Sequence, residues 1–221
     1  GPVSSADAST AFAEQAVALA EGGADVLWIE TLSSREELEA AIEGARAAGL
    51  PIVSTLSFDT NGRTMMSLTP AELAGIAREQ HLAACGSNCG VGPAELIASI
   101  LNLSTAADPD MVLVAKANCG IPQWVDGAIR YDGTPDLMAS YVHLAIDSGA
   151  RIIGGCCGTS PEHLAAMRKA LDSHVAGPRP DTAALESALG QISTGARAQL
   201  GGNLDRAAGS ASGAGPRASR S

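Results

Sequence analysis

Apolar residues recur at helical spacing from about Ala8 to Glu21, through Phe12, Ala16, Val17 and Ala20. Gly22-Gly23 ends that pattern, and the period changes to a nearly continuous apolar run, Ala24-Asp25-Val26-Leu27-Trp28-Ile29-Glu30, which predicts a strand. Ser33 or Ser34 then caps a helix whose first turn carries Glu36 and Glu37, favourable to the helix dipole, and which ends at Gly49. The unit repeats four more times. Strands are expected near Ile52–Ser57, Leu82–Asn88, Met111–Ala117 and Arg151–Gly154. Helices are expected near Pro70–Gln80, Pro93–Leu103, Pro135–Ser148 and Pro161–Leu171, each with Pro in its first turn, where the missing N–H costs nothing.

Apolar strands alternating with helices predict an α/β fold with a parallel sheet covered on both faces. Intervals of about 27 to 40 residues suit either a β/α barrel or a doubly wound sheet. The chemistry-bearing residues favour the barrel. Glu30-Thr31, Asn88-Cys89, Asn118-Cys119 and Cys156-Cys157 all fall at C-terminal strand ends. In a barrel those ends converge on one mouth, whereas in an open sheet they diverge.

Fourteen basic against 24 acidic residues give a formal charge of −10. That balance argues against nucleic-acid or anionic-membrane partners, which select basic patches. No apolar run approaches the roughly 20 residues that cross a bilayer, and the start lacks a signal-peptide pattern. Five unevenly spaced cysteines fit reduced thiols in a cytoplasmic protein better than a disulfide scaffold. Residues 1–176 are read as the folded domain. Residues 177–221, dominated by Ala, Gly, Ser and scattered Arg, are expected to be disordered, although Leu185, Leu189 and Ile192 suit a short amphipathic turn.

The most specific feature is Gly154-Gly155-Cys156-Cys157-Gly158, in which glycines let the backbone turn so that adjacent thiolates face one ion. Cys89, in Gly86-Ser87-Asn88-Cys89-Gly90, supplies a third thiolate from 67 positions earlier. Three thiolates with one position left open is the ligand count of a catalytic zinc site. The bland alternative is that all three are small core residues at strand ends. Cys85 and Cys119 receive no role, and His81, His143, His163 and His174 are read as surface or helix-capping residues. Met65-Met66 is read as loop packing. Trp124 and Tyr131 fall in a long loop after the fourth strand, where one of them is a candidate lining for a donor pocket.

Ile29-Glu30-Thr31, Gly86-Ser87-Asn88-Cys89-Gly90-Val91-Gly92-Pro93, Asn118-Cys119-Gly120-Ile121-Pro122 and Gly154-Gly155-Cys156-Cys157-Gly158-Thr159-Ser160-Pro161-Glu162-His163 occur in that order. Together they resemble the homocysteine-binding domain of the homocysteine S-methyltransferase family, over about Phe12 to Leu171. That family includes betaine–homocysteine methyltransferase and the homocysteine domain of cobalamin-dependent methionine synthase. The resemblance implies a (β/α)8 TIM barrel, here without its first three strands, with Gly1-Pro2 matching the Gly-Pro that follows the third. Nothing here resembles the family's Asp-Gly-Ala-Met-Gly-type or Glu-Thr-Asn-Thr-type elements. Cys119 stands where relatives usually carry Ala, which points to packing.

The resemblance implies Zn2+ on Cys89, Cys156 and Cys157, and methyl transfer to homocysteine giving methionine. Glu30 matches the residue that holds the substrate amino group; the plain alternative is a helix-capping or salt-bridged carboxylate. Asn88 and Asn118 are candidates for the substrate carboxylate or for orienting a cysteine, and turn formation accounts for them equally well. The donor is a betaine, S-methylmethionine, or a methylcorrinoid carried on a separate protein, because no Asp-x-His-x-x-Gly corrinoid pattern occurs here. A partner chain supplying the missing strands is also implied. The alternative is a truncated or split-barrel subunit that binds zinc and homocysteine without catalysis. A thiol-redox role for Cys156-Cys157 lacks the Cys-x-x-Cys spacing that such chemistry uses.

Overall fold

Each unit starts where a cap and a change of period impose it. The computed structural model describes residues 3–58 and 61–202. Ser4 accepts from Asp7 N to start α1 (Ser5–Glu21), and Gly22 closes it. Strand β1 (Leu27–Leu32) leads to α2 (Arg35–Ala45), capped by Ser34 and extended by a short 3-10 turn that Gly49 ends at φ 67°. Next come β2 (Ile52–Leu56), α3 (Pro70–Glu79), β3 (Ala84–Cys89), α4 (Pro93–Ala106) and β4 (Val112–Ala117). The expected long loop after β4 is a hairpin of β5 (Pro122–Val125) and β6 (Ala128–Tyr131). Helix α5 (Pro135–Asp147), β7 (Ala150–Gly155) and α6 (Pro161–Ser173) complete the five units.

The main sheet has the order β1-β2-β3-β4-β7, and every pairing in it is parallel. Its two faces differ. Leu27, Ile52, Leu56, Cys85, Leu113, Ala115 and Ala117 pack with Leu38, Ile42, Leu73, Ile97, Met138 and Tyr141 of the helices. Val53, Ala84 and Val114 form a separate cluster to which no helix contributes. Among the described residues, helices thus cover one face, as a barrel wall requires and a doubly wound sheet does not. Side-chain alternation puts Trp28, Glu30, Thr55, Asn88, Lys116 and Gly154 on that second, inner face. The inner face is concave: Lys116 of β4 pairs with Glu30 of β1, and Asn88 of β3 donates to Thr31 of β1 at 2.7 Å. Such contacts between strands two and three places apart need a curved sheet, since neighbours lie about 4.8 Å apart. The outer edges of β1 and β7 have no strand partner among the described residues.

The segment after His174 departs from the expectation of disorder. Helices α7 (Thr182–Leu189) and α8 (Thr194–Leu200) pack against α4, with Leu185 and Ala196 fully buried and Leu189 and Ile192 largely so. Asp181 and Ser193 cap the two helices, and buried Glu95 accepts from both the amide and the hydroxyl of Ser193. Arg179 donates to Leu101 O, Ser104 and Thr105 of α4. Leu185 and Leu189, two of the three residues that suited an amphipathic turn, fall in α7, and the N-caps Asp181 and Ser193 are what the Ala-rich composition hid. Residues 1–2 and 203–221, including the Gly1-Pro2 match and the end of the tail, lie outside the described residues.

Candidate metal centre

Cys89, Cys156 and Cys157 converge. Their Sγ atoms all lie within 4.8 Å of one another, and Cys89 Sγ is 3.8 Å from Cys157 Sγ. Zinc–sulfur bonds of about 2.3 Å in a tetrahedron set sulfurs about 3.8 Å apart, so these residues fit a zinc ion. The donor chemistry agrees. Without a cation, burial first, and then Cys156 and Cys157 beside it, push the Cys89 thiol up to about 11. Three thiolates this close are stable only around a positive charge.

Local backbone explains how the three arms meet. Cys89 ends β3 at φ 61°, a left-handed conformation, and Gly90 and Gly92 continue the turn at φ 74° and 121°. Cys156 N donates to Ala117 O at 2.7 Å, which carries the β4–β7 ladder one residue beyond the strand. Cys157 is held on both sides by the end of β4: its N donates to Asn118 Oδ1 at 3.0 Å, and its O accepts from Cys119 N at 2.9 Å. Gly155 is required, because a Cβ there would lie 2.3 Å from Thr159 Oγ1. Below the arms, the fully buried Tyr141 receives the Ala117 N–H at 3.3 Å and donates to Gly154 O at 3.4 Å, tying β4 to β7.

Asn118 links the two arms. Its Nδ2 donates to Gly90 O at 2.6 Å while its Oδ1 holds Cys157 N, so one buried amide fixes the turn after Cys89 and the Cys157 peptide together. Asn88 is equally buried; its Nδ2 reaches Thr31 Oγ1, and its Oδ1 has no protein partner. Thr31 is a bulge at φ 67°, where the β1–β2 register slips between Glu30 and Leu32. A β-branched residue in that region is strained, and such bulges re-aim side chains beside functional sites.

Glu30 lies on the inner face as expected, but it is already engaged by Lys116. Lys116 sits 5.3 Å above the Trp28 ring, and Trp28 donates to Thr55 Oγ1 at 3.0 Å. Lys116 was missed in the sequence, although a lysine inside the apolar strand Val112–Ala117 was the available signal. Tyr131 packs over Gly158, where a Cβ would meet its Cγ at 2.4 Å. Loss of hydration, then the hydrogen bond with Cys157, raises the Tyr131 phenol above its ordinary range. Tyr131 thus stands beside the thiols, whereas Trp124 is 74% exposed on the hairpin.

Cys119 is buried and directs its thiol to Gly133 O, and Cys85 packs on the helix-facing side of β3, away from the inner face. His163 closes the α6 capping box, and His174 bridges His143 and Asp147. Met65 and Met66 are exposed, not packed in their loop. No helix among the described residues is long and apolar enough to cross a membrane.

The comparisons agree with this geometry. The Homocysteine S-methyltransferase family profile matches residues 1–171. Methionine synthase of Mycobacterium tuberculosis is 29% identical over 167 residues, covering 70% of this chain and 13% of that protein. Methionine synthase of Mycobacterium leprae is 27% identical over 161 residues with the same coverage. Among solved structures, the apo form of the homocysteine methyltransferase MmuM from Escherichia coli superposes with a TM-score of 0.62 at 25% identity. That match covers 77% of this chain and 59% of MmuM. The metallated form of MmuM gives 0.59 over 73% of this chain at 24% identity, a likeness of fold. The chain thus spans about an eighth of the methionine synthases and under two thirds of MmuM. It belongs to the homocysteine S-methyltransferase family.

Proposed function

We propose that this chain binds zinc through Cys89, Cys156 and Cys157 and presents homocysteine for methylation to methionine. The observation that carries the reading is the convergence of the three thiols, from two separate strand ends, at zinc-compatible spacing. Zinc held there would supply a Lewis acid that keeps the homocysteine sulfur deprotonated at neutral pH, through the one position the three cysteines leave open. The homocysteine thiol loses its proton, its sulfur attacks the donor methyl carbon in line, and the methyl–donor bond breaks as the thioether forms.

The protein's part in this is positional. Asn118 holds both cysteine arms in register, Tyr141 ties the strands beneath them, and regular alternation along β1 puts Glu30 on the inner face just before the Thr31 bulge. Glu30 receives the substrate ammonium, and Asn88 Oδ1 remains a free acceptor beside it. The five strands form an arc of a (β/α)8 barrel, a reading supported by their curvature and by helices on one face. Three further strands, from a longer chain or a partner, would close it. The donor, a betaine, S-methylmethionine or a methylcorrinoid protein, would approach from the mouth.

A second reading is favoured by the free edges of β1 and β7: a subunit that binds zinc and homocysteine without turning over alone. Zinc analysis followed by methylation assays with each donor separates the two. Zinc-dependent methionine formation supports the enzyme; zinc and homocysteine binding without product supports the subunit. Failure to bind zinc contradicts both.

A further inference from the structure

Lys116 is the one residue of Val112–Ala117 that is not apolar, and the sheet gives it a specific place. Its register partners are Asn88 on β3 and Gly154 on β7, the row immediately beneath Cys89, whose partner is Ala117. The absent side chain at Gly154 makes room for the lysine stem, since a Cβ there would come 3.2 Å from Lys116 Cγ. The ammonium then lies over Trp28 and against the Glu30 carboxylate. Neighbouring inner-face positions are Val53, Ala84, Gly86, Val114 and Ile152 beside the neutral polar Thr55 and Asn88, so two opposite charges stand among otherwise uncharged strand positions.

Stability is a weak reason for that pair. Lys116 and Glu30 keep 24% and 37% of their side-chain exposure, and ion pairs in contact with water contribute about 0–1 kcal/mol. Its position and composition suit recognition better. An α-amino acid head group carries one ammonium and one carboxylate on the same carbon. Inserted between Glu30 and Lys116, it replaces one ion pair with two and leaves no charge unmatched. A ligand with an ammonium alone would satisfy Glu30 but separate Lys116 from the carboxylate that pairs with it among the described residues, which is costly in a partly dehydrated site.

We infer that Lys116 is a substrate-binding and specificity-determining residue: it receives the α-carboxylate of the amino-acid thiol whose ammonium Glu30 holds. The Lys116–Glu30 pair of the free protein is the resting form of this head-group clamp. The inference rests on the homocysteine reading above and extends it by naming the carboxylate partner.

The test is calorimetric binding of homocysteine and of its decarboxylated analogue, aminopropanethiol, to the zinc-loaded 221-residue chain and to its K116M and K116R variants. The wild type is expected to prefer homocysteine by about tenfold or more, because a site built around a polar group discriminates strongly against ligands lacking it. K116M should bring that preference close to unity, through weaker homocysteine binding together with tighter aminopropanethiol binding, since the amine no longer has to break the Lys116–Glu30 pair, and K116R should keep the preference. Methionine fits over Gly154 as lysine does; should K116M not fold, K116Q carries the same expectation. An unchanged preference in K116M, or an equal loss of both thiols, would overturn the inference while leaving the homocysteine reading intact. A zinc-loaded wild type that binds neither thiol would overturn both.

Discussion

Lys116 of β4 pairs with Glu30 of β1 across two intervening strands, a contact that only a strongly curved sheet permits. The same curvature gathers the C-terminal strand ends, so that Cys89 and the Cys156-Cys157 pair, 67 residues apart, share one small volume. Fold and site are thus one fact seen at two heights in the sheet: charged residues on the wall, thiols at the rim.

Asn118 is predicted to matter for metal affinity more than for folding. Asn118→Ala removes both the bond to Gly90 O and the bond from Cys157 N. Groups that orient metal ligands are worth about 10–100-fold in affinity, so zinc competition against a chromophoric chelator should show a loss in that range. An affinity within twofold of wild type would remove Asn118 from this role.

Two glycines test the close approaches beneath the site. A Cβ at Gly86 would lie 1.9 Å from Val114 O, a backbone atom that cannot move without breaking the β3–β4 ladder. Gly86→Ala should cost several kcal/mol, about 3 or more, and leave the chain largely insoluble. At Gly155 the obstacle is the Thr159 side chain, so Gly155→Ala should be rescued in part by adding Thr159→Ala, which removes Oγ1 and Cγ2, with solubility and urea midpoint as the readouts.

The α7–α8 segment should be part of the cooperative unit. Leu185 is fully buried, and truncating it to Ala should cost about 2–4 kcal/mol in urea unfolding. Zinc stoichiometry should not change, because α7 packs on α4 and α5, away from the thiols. A midpoint equal to wild type would mean that the segment is not docked in solution.

Alkaline stability has a defined sign. Burial pushes the Cys85 thiol from 9.0 up to about 12. A folded value above the unfolded one means that its contribution is whole below about pH 9 and is lost as pH rises from there through the folded value. The Cys89 thiol, raised in the zinc-free chain, and the buried Tyr141 phenol act in the same direction. The urea midpoint of the zinc-free protein should therefore hold steady near neutrality and fall above about pH 9. Cys85→Ala should start lower, through lost packing, but fall less steeply. Parallel slopes for the two proteins would contradict the assignment.

The sequence carried much of this because its signals were local. Four Pro-initiated helices, five apolar strand runs and glycine-framed cysteines are each legible within a dozen residues, and they located the rim of the site. What escaped depended on distant partners. Glu30 was read as the substrate-ammonium residue with a salt-bridged carboxylate as the plain alternative, but its partner went unidentified because Lys116 lies 86 residues away. Tyr141 was read only as part of a helix, since its hydroxyl acts on two strands that the sequence does not place together. The docking of residues 177–202 was not foreseen because it relies on distant partners in α4, Glu95 above all, which composition does not display. The hairpin Pro122–Tyr131 was missed because its apolar residues face solvent, without the alternation that marks a half-buried strand.

Zinc content of the purified chain, measured by elemental analysis beside Cys156→Ala, tests the central claim most directly. The account predicts about one zinc per wild-type chain, as three thiolates and one open position require, and its loss in the variant. A folded wild-type chain that holds no zinc, or a Cys156→Ala variant that keeps it, would contradict the account.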